Sequence, residues 1–447
     1  MNYKELTKPY IETMFQSLKE FVAIDSTYDE LTRSEEHPFG MGVTKALNYI
    51  TELAKKDGFN AINYDNAVVE ISVGEGDKNI TIMAHADIVP VGTGWSHDPF
   101  DVYEKDGVLY GRGVADDKGP LLAAYYALKA LKDNNLLGNY RVRFLVGGNE
   151  ERGSQCMEHY FHTLMKEMPT LGFTPDSNYP LIFAEKGIIG FKVRKAIDCP
   201  ELISLEGGVA SNSVIEKCDV RVKNSEAFNE FLKNTDFDYT FEDGIFVFHG
   251  AAAHGSVPWE GKNAGMAAIT ALAEYTQNSD LLLLAHKFNN TRAEGVNAGG
   301  YSEDMGTNSW NVGLIGLKNK TLTLIVNFRY VETCDEKQLI ENVKEASKPF
   351  EVTVQGTSPL LYFKKDSVLV STLMKVYQEE TGDLVTPPQA TGGGTYAKEA
   401  DNVVAFGMEF LDWDSHMHAP GECARREDFI KSLAIYAHAI VELGKKL

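Results

Sequence analysis

At 447 residues, with 43 Lys plus Arg against 64 Asp plus Glu, the chain carries a formal charge of −21. That charge excludes a role that begins with neutralising nucleic-acid phosphates. No run approaches the ~18 apolar residues that a membrane-spanning helix needs, and the length is ample for two or three domains with large cores.

Five cysteines (Cys156, Cys199, Cys218, Cys334, Cys423) are scattered, with no C-x-x-C pair. An odd, dispersed set argues against a disulfide framework or a structural zinc knuckle, so idle thiols are expected. The N-terminus, Met-Asn-Tyr-Lys-Glu-Leu-Thr-Lys, has no apolar stretch of the signal-peptide kind. A cytoplasmic protein with no membrane partner is expected.

In chain order, the spacing predicts an amphipathic helix over 3–22, with Ile11, Met14, Phe15 and Leu18 on one face, and another over 41–57. Short strands are expected near 61–64 and 67–73, then an apolar strand, Ile80 to Ala84, ending in His85-Ala86-Asp87. A Gly-rich turn, Gly111-Arg112-Gly113-Val114-Ala115-Asp116-Asp117-Lys118-Gly119, leads to a buried helix over 119–133 with Pro120 in its first turn. A second apolar run, Tyr140 to Val146, ends in Asn149-Glu150-Glu151. A helix is expected over 154–168. This strand, turn, helix, strand alternation predicts an α/β layer with a largely parallel sheet.

The character changes near Ala184. Strands are expected at 187–195, 218–222, 322–330 and 350–355, a hairpin across Asp243-Gly244, and helices over 262–276 and 335–347. Beyond this, a helix over 366–381, a Gly-rich turn over 391–398, a strand over 403–409 and a helix over 426–444 return to the earlier character. The expected organisation is a discontinuous catalytic domain, 1–183 and 359–447, interrupted by an α+β domain at 184–358.

The clusters that carry chemistry follow strands or Gly-rich turns, where open α/β sheets hold their ligands. In His85-x-Asp87 the two side chains share one face of an extended chain, and a carboxylate can orient an imidazole that binds metal. Asp116-Asp117 concentrates negative charge in a turn, and one carboxylate can bridge two cations. Glu150-Glu151 invites a division of labour between a general base and a ligand. Asp176 lies in a loop, and His416-x-His418-x-Pro420-x-Glu422 offers a late histidine. Taken singly, each has a bland structural reading: a solvated turn, a helix-start acid pair, a cap. Taken together, in this order, they form a set of Asp, Glu and His donors suited to zinc, manganese or cobalt, with no cysteine among them.

The ordered set resembles the co-catalytic metallopeptidase family of aminoacylase, glutamate carboxypeptidase, acetylornithine deacetylase and carnosinase, and most of all its bacterial dipeptidase branch, PepV. The resemblance covers nearly the whole chain. It implies a zinc-exopeptidase-like α/β fold, with a mixed, largely parallel sheet flanked by helices, and an inserted α+β lid hinged near 184 and 358. It also implies two divalent metal ions per chain, zinc first, with manganese or cobalt as alternatives. His85 and Asp176 would bind one metal, Glu151 and His418 the other, and Asp116 both, next to a cis Asp116–Asp117 bond. Asp87 would orient His85, and Glu150 would be the general base. In the lid, His254 would stabilise the transition state, while Asn212 and Arg329 grip the substrate. Gly392, Gly393 and Gly394 would offer backbone N–H groups to its carboxylate. The residues themselves leave open whether Asp116 or Asp117 bridges, and whether His416 or His418 ligates.

The implied activity is metal-dependent hydrolysis of unblocked dipeptides, β-alanyl dipeptides included. The large lid implies a monomer, with a dimer as the alternative, and a small peptide as partner. A deacylase or desuccinylase on the same scaffold uses the same metals and base. A non-catalytic metal- or peptide-binding protein is a more distant alternative, since every expected position is filled. No G-x-S-x-G elbow supports a serine hydrolase.

Overall fold

The structure is a computed structural model that describes residues 1–447. By internal contacts the chain separates into two compact units. One comprises Met1–Phe183, Phe363–Gln389 and Gly394–Leu447, and the other Ala184–Tyr362 with Ala390–Gly393.

The first unit is built on a mixed sheet. Its order runs Asn60–Tyr64, Val68–Val73, Arg141–Gly147, Asn79–His85, Leu171–Thr174, Val403–Ala405, Ile182–Glu185. The four central strands, 141–147, 79–85, 171–174 and 403–405, are parallel, and the flanking pairs are antiparallel. Asn79–His85 is buried along its whole length. That explains its continuous apolar run, since a central parallel strand is covered on both faces. The helix Lys118–Asp133 makes the crossover between 79–85 and 141–147 and packs against the C-terminal helix Arg426–Gly444. Gly119 is required where that helix begins: a Cβ there would lie 2.0 Å from the Val114 carbonyl oxygen and 2.9 Å from the Phe429 ring.

Several expected elements differ in detail. The helix expected over 3–22 is interrupted by a 3-10 turn at Lys8–Tyr10 around Pro9, which cannot donate the backbone hydrogen bond an α-helix needs. The helix expected over 154–168 stops at Thr163, and Met165 takes a left-handed conformation. The strand expected over 403–409 breaks after Ala405. Gly407, at φ 84°, leaves no room for a side chain against the Tyr179 ring.

The inserted unit is an eight-stranded sheet. Its order runs Tyr239–Glu242, Ile245–His249, Lys217–Val222, Leu202–Gly207, Ser309–Lys318, Thr321–Tyr330, Gly187–Ala196, Glu351–Ser358, with antiparallel pairing throughout. Asp243 and Gly244, both at positive φ, make the two-residue turn that joins its first hairpin. Helices Ser225–Leu232, Ala264–Thr276, Ser279–Phe288 and Glu336–Ala346 complete the unit, whose core includes Phe191, Phe246, Ile269, Leu272, Trp310 and Phe328. The strands at 202–207 and 309–318 and the helix at 279–288 were not expected from the sequence. The run of glycines divides: Gly392 and Gly393 cluster with the inserted unit and Gly394 with the other. No helix is long and apolar enough to cross a membrane.

Candidate active site

Because strands 79–85, 141–147 and 171–174 run parallel, their carboxyl ends lie at one edge of the sheet. His85 closes the first, Glu150 and Glu151 follow the second, and Asp176 follows the third. The Gly-rich turn brings Asp116 to the same edge.

His85 is fully buried, and its Nδ1 lies 2.9 Å from the Asp87 main-chain carbonyl and 3.4 Å from the Asp87 carboxylate. A proton on Nδ1 would be donated there, leaving Nε2 as the ligating atom. Nε2 lies 3.0 Å from Asp116 Oδ1 and 3.7 Å from Asp176 Oδ2. The other Asp116 oxygen, Oδ2, lies 2.8 Å from His418 Nε2, which lies 3.3 Å from Glu151 Oε1. Two donor triads result, His85–Asp116–Asp176 and Asp116–Glu151–His418, each with its ligand atoms within 4.8 Å of one another. Asp116 belongs to both. His416 belongs to neither; it is exposed and lies 3.6 Å from Asp414. Asp117 also stands outside both triads: its Oδ2 accepts from the His85 main-chain N–H at 2.9 Å, and its buried Oδ1 has no hydrogen-bond partner. The Asp116–Asp117 peptide bond is cis.

Asp87 does more than face His85. Its two carboxylate oxygens accept from the main-chain N–H groups of Glu150, at 3.0 Å, and Glu151, at 3.1 Å. One side chain therefore fixes both the first imidazole and the backbone that carries the acid pair. Glu150 is in neither triad.

Burial and mutual repulsion both oppose ionisation of crowded carboxylates. Burial, and then the neighbouring acids, push Glu150 and Asp176 well above the ordinary carboxylate range. Burial also raises Glu151 to about 7 and Asp117 to about 8. Burial acts on Asp116 in the same direction, but hydrogen bonds from His418 and His85 prevail and hold it below that range. Hydrogen bonds to Asp116 and Glu151 lift His418 to about 10. Imidazole nitrogens and carboxylate oxygens in two triads that share one carboxylate, beside an unpartnered buried Asp117 oxygen, fit a pair of divalent cations.

Sequence reasoning gave Glu422 no role. It is fully buried, and its Oε1 accepts from Gly113, Ala115 and Asp116 main-chain N–H groups at 2.9, 2.9 and 3.2 Å. The only sign of it in the sequence is its place at the end of the motif that carries His418.

The remaining expected residues, apart from Gly394, lie within the inserted unit. Arg329 is buried, and burial lowers its pKa to about 10. Its Nε donates to Asn327 Oδ1 at 2.9 Å and its Nη1 to the Gly392 carbonyl, while Nη2 lies 3.4 Å from His254 Nε2. It has no carboxylate partner. His254 Nδ1 lies 2.7 Å from Ser256 Oγ. Asn212 is exposed, and its carbonyl accepts from the Gly255 N–H beside His254. Gly392 presents its carbonyl rather than its N–H to Arg329, and the Gly393 N–H is taken by Thr391 Oγ1 at 3.1 Å. Gly394 faces Lys398 in the first unit.

Residues 81–442 match the model of peptidase family M20/M25/M40. A Bacillus subtilis (strain 168) relative described as "Putative dipeptidase YtjP" is 36% identical over 463 residues, covering 97% of this chain and 98% of its own. A Staphylococcus aureus (strain USA300) relative, described as "Putative dipeptidase SAUSA300_1697", is 33% identical over 467 residues, covering 99% of each chain. Among solved structures, human carnosine dipeptidase 1 matches with a TM-score of 0.58 at 15% identity over 99% of both chains. The Saccharomyces cerevisiae di-peptidase Dug1p matches with a TM-score of 0.61 at 14% identity over 99% of this chain and 98% of its own. These structures share the fold, a mixed α/β sheet flanked by helices.

Proposed function

The chain belongs to peptidase family M20/M25/M40, a family of hydrolases acting on peptide bonds, and on that premise we propose that it is a dinuclear metal-dependent dipeptidase that cleaves unblocked dipeptides, β-alanyl dipeptides included. The observation that carries the reading is the pair of donor triads sharing Asp116, with Glu150 held beside them through Asp87. The names of the similar bacterial proteins favour dipeptides as substrates.

His85, Asp116 and Asp176 would hold one divalent ion, and Asp116, Glu151 and His418 the second. Zinc is the ion proposed, with manganese or cobalt able to replace it. When bound, such ions supply the Lewis acidity that lowers the pKa of a water and polarises a carbonyl oxygen.

The protein's own contribution is positional and protonic. Glu150 accepts a proton from the attacking water, whose oxygen bonds to the peptide carbonyl carbon. As the C–N bond breaks, Glu150 returns that proton to the leaving amine. Burial, and then the neighbouring acids, raise Glu150 above the ordinary carboxylate range, which favours its holding the proton between the two transfers. Asp87 keeps the Glu150 backbone and the His85 ring in place, so little reorganisation is needed. In the inserted unit, Arg329 and His254 offer donors to the substrate's carboxylate and to developing negative charge.

The test is a substrate panel of free dipeptides, β-alanyl dipeptides, a tripeptide and N-acetyl amino acids. Turnover confined to the dipeptides supports the reading. Turnover of the N-acetyl compounds alone overturns it in favour of deacylation.

A further inference from the structure

Arg329 is buried in the inserted unit with no carboxylate partner, and a pocket opens beside it. Its volume is about 200 Å³, and its walls include Val257, Trp259, Met305 and Ala390. Gly392 and Ser256 line it as well. These are the residues that engage Arg329 and His254, through the Gly392 carbonyl and the Ser256 hydroxyl. The pocket and the Arg329–His254 cluster therefore share two walls. Gly392 has to be glycine there, since a Cβ would lie 2.5 Å from Ser256 Cβ.

We propose that this pocket is a specificity subsite that takes the side chain of the substrate's C-terminal residue, with an apolar side chain preferred, while Arg329 takes that residue's carboxylate. The inference rests on the dipeptidase reading and specifies which dipeptides are favoured.

Size decides what the pocket can hold. Sites for whole small molecules run to about 300–1,000 Å³. About 200 Å³ suits one side chain of the size of leucine or phenylalanine. Chemistry decides which kind. The two charged residues in the wall are already engaged with protein groups. Lys186 Nζ donates to the Thr307 carbonyl at 2.5 Å, and Asp304 Oδ2 accepts from the Tyr362 hydroxyl at 2.7 Å. The apolar walls are held in place. Trp259 lies in a short turn, Pro258–Glu260, with the Arg292 guanidinium over its ring at 5.9 Å. Met305 sits in the hairpin of Tyr301–Ser302 with Gly306–Thr307, where its N–H donates to Ser302 Oγ at 3.1 Å. A sulfur and an indole facing one small space form an apolar, polarisable receptor.

The experiment compares Ala-Leu with Ala-Gly as substrates, and L-leucine with glycine as ligands, for the full chain loaded with zinc. The wild type is expected to favour Ala-Leu by about 10- to 100-fold in kcat/KM, the discrimination an apolar pocket gives. Met305→Trp, which fills the pocket, and Trp259→Ala, which removes a wall, are each expected to cut that ratio at least fivefold. An equal fall for both substrates, leaving the ratio unchanged, overturns the proposal. L-leucine binding is followed separately by tryptophan fluorescence. Leucine is expected to change the wild-type signal, with a much smaller change in Trp259→Phe, and glycine to do little at equal concentration. If no dipeptide is cleaved yet leucine gives the Trp259-dependent signal, the dipeptidase reading fails and the subsite stands. If dipeptides are cleaved without preference and leucine gives no such signal, the subsite fails and the dipeptidase reading stands.

Discussion

Arg112 Nη1 lies 2.5 Å from Glu422 Oε2, and both residues are almost completely buried although 310 positions separate them in sequence. The pair ties the C-terminal segment that carries His418 to the Gly-rich turn that carries Asp116. Removing one partner of a buried ion pair costs about 3–5 kcal/mol, because the other charge stays buried alone. Glu422→Ala is expected to lose stability of that order in chemical denaturation. It should also weaken divalent-metal binding, since three N–H groups of the turn lose their acceptor. Stability within 1 kcal/mol of wild type, on the order of an exposed pair, would show that the pair does not hold the turn.

Glu150 and the triads can be separated. Glu150→Gln preserves shape and both donor triads, so bound metal per chain should stay at the wild-type value. Turnover is expected to fall by about 10²–10⁴-fold, the scale of a lost general base. Metal content by elemental analysis, together with kcat on a dipeptide, checks both halves.

Asp116 is the one ligand common to both triads. Asp116→Asn should abolish tight binding of both ions, whereas Asp176→Asn and Glu151→Gln should each impair one. Calorimetric titration of metal-depleted protein distinguishes these outcomes. Equal losses from all three variants would argue against a shared ligand.

Metal-free protein should become less stable as pH rises. Burial sets Glu151 at about 7 and Asp117 at about 8 in the folded chain, above the ordinary carboxylate values they regain on unfolding. The folded state therefore holds these protons more tightly. The contribution is complete below about pH 4 and is lost as pH passes through 7 to 8. Denaturation in the presence of a chelator, from pH 5 to 9, should show the decline. A divalent ion should flatten it, because a bound cation favours the ionised carboxylates. Metal-free stability that rises over this range would contradict the assignment.

Much of this was legible in the sequence because the chemistry sits where local patterns end. The apolar run before His85 reads as a buried strand, and the Gly-rich turn before Lys118 reads as a helix entry. The same residues meet in space because parallel strands bring their ends together. What was not legible depends on distant partners. Glu422 looks like any loop acid until it is seen accepting from the turn at 113–116. Asp87 looked like a partner of His85 alone, and only the fold brings its oxygens to the Glu150 and Glu151 amides. The strand Ser309–Lys318 was missed because its first five residues are all buried, without the alternation that marks a half-exposed strand. In the glycine run, the Gly392 carbonyl accepts from Arg329, a partner 63 positions away that composition carries no record of.

The most direct test of the central claim is dipeptide hydrolysis by metal-depleted protein as zinc is returned in measured equivalents. Two donor triads sharing Asp116 call for negligible activity without metal and full activity at about two ions per chain. Undiminished hydrolysis by protein shown by elemental analysis to hold no metal would contradict the account.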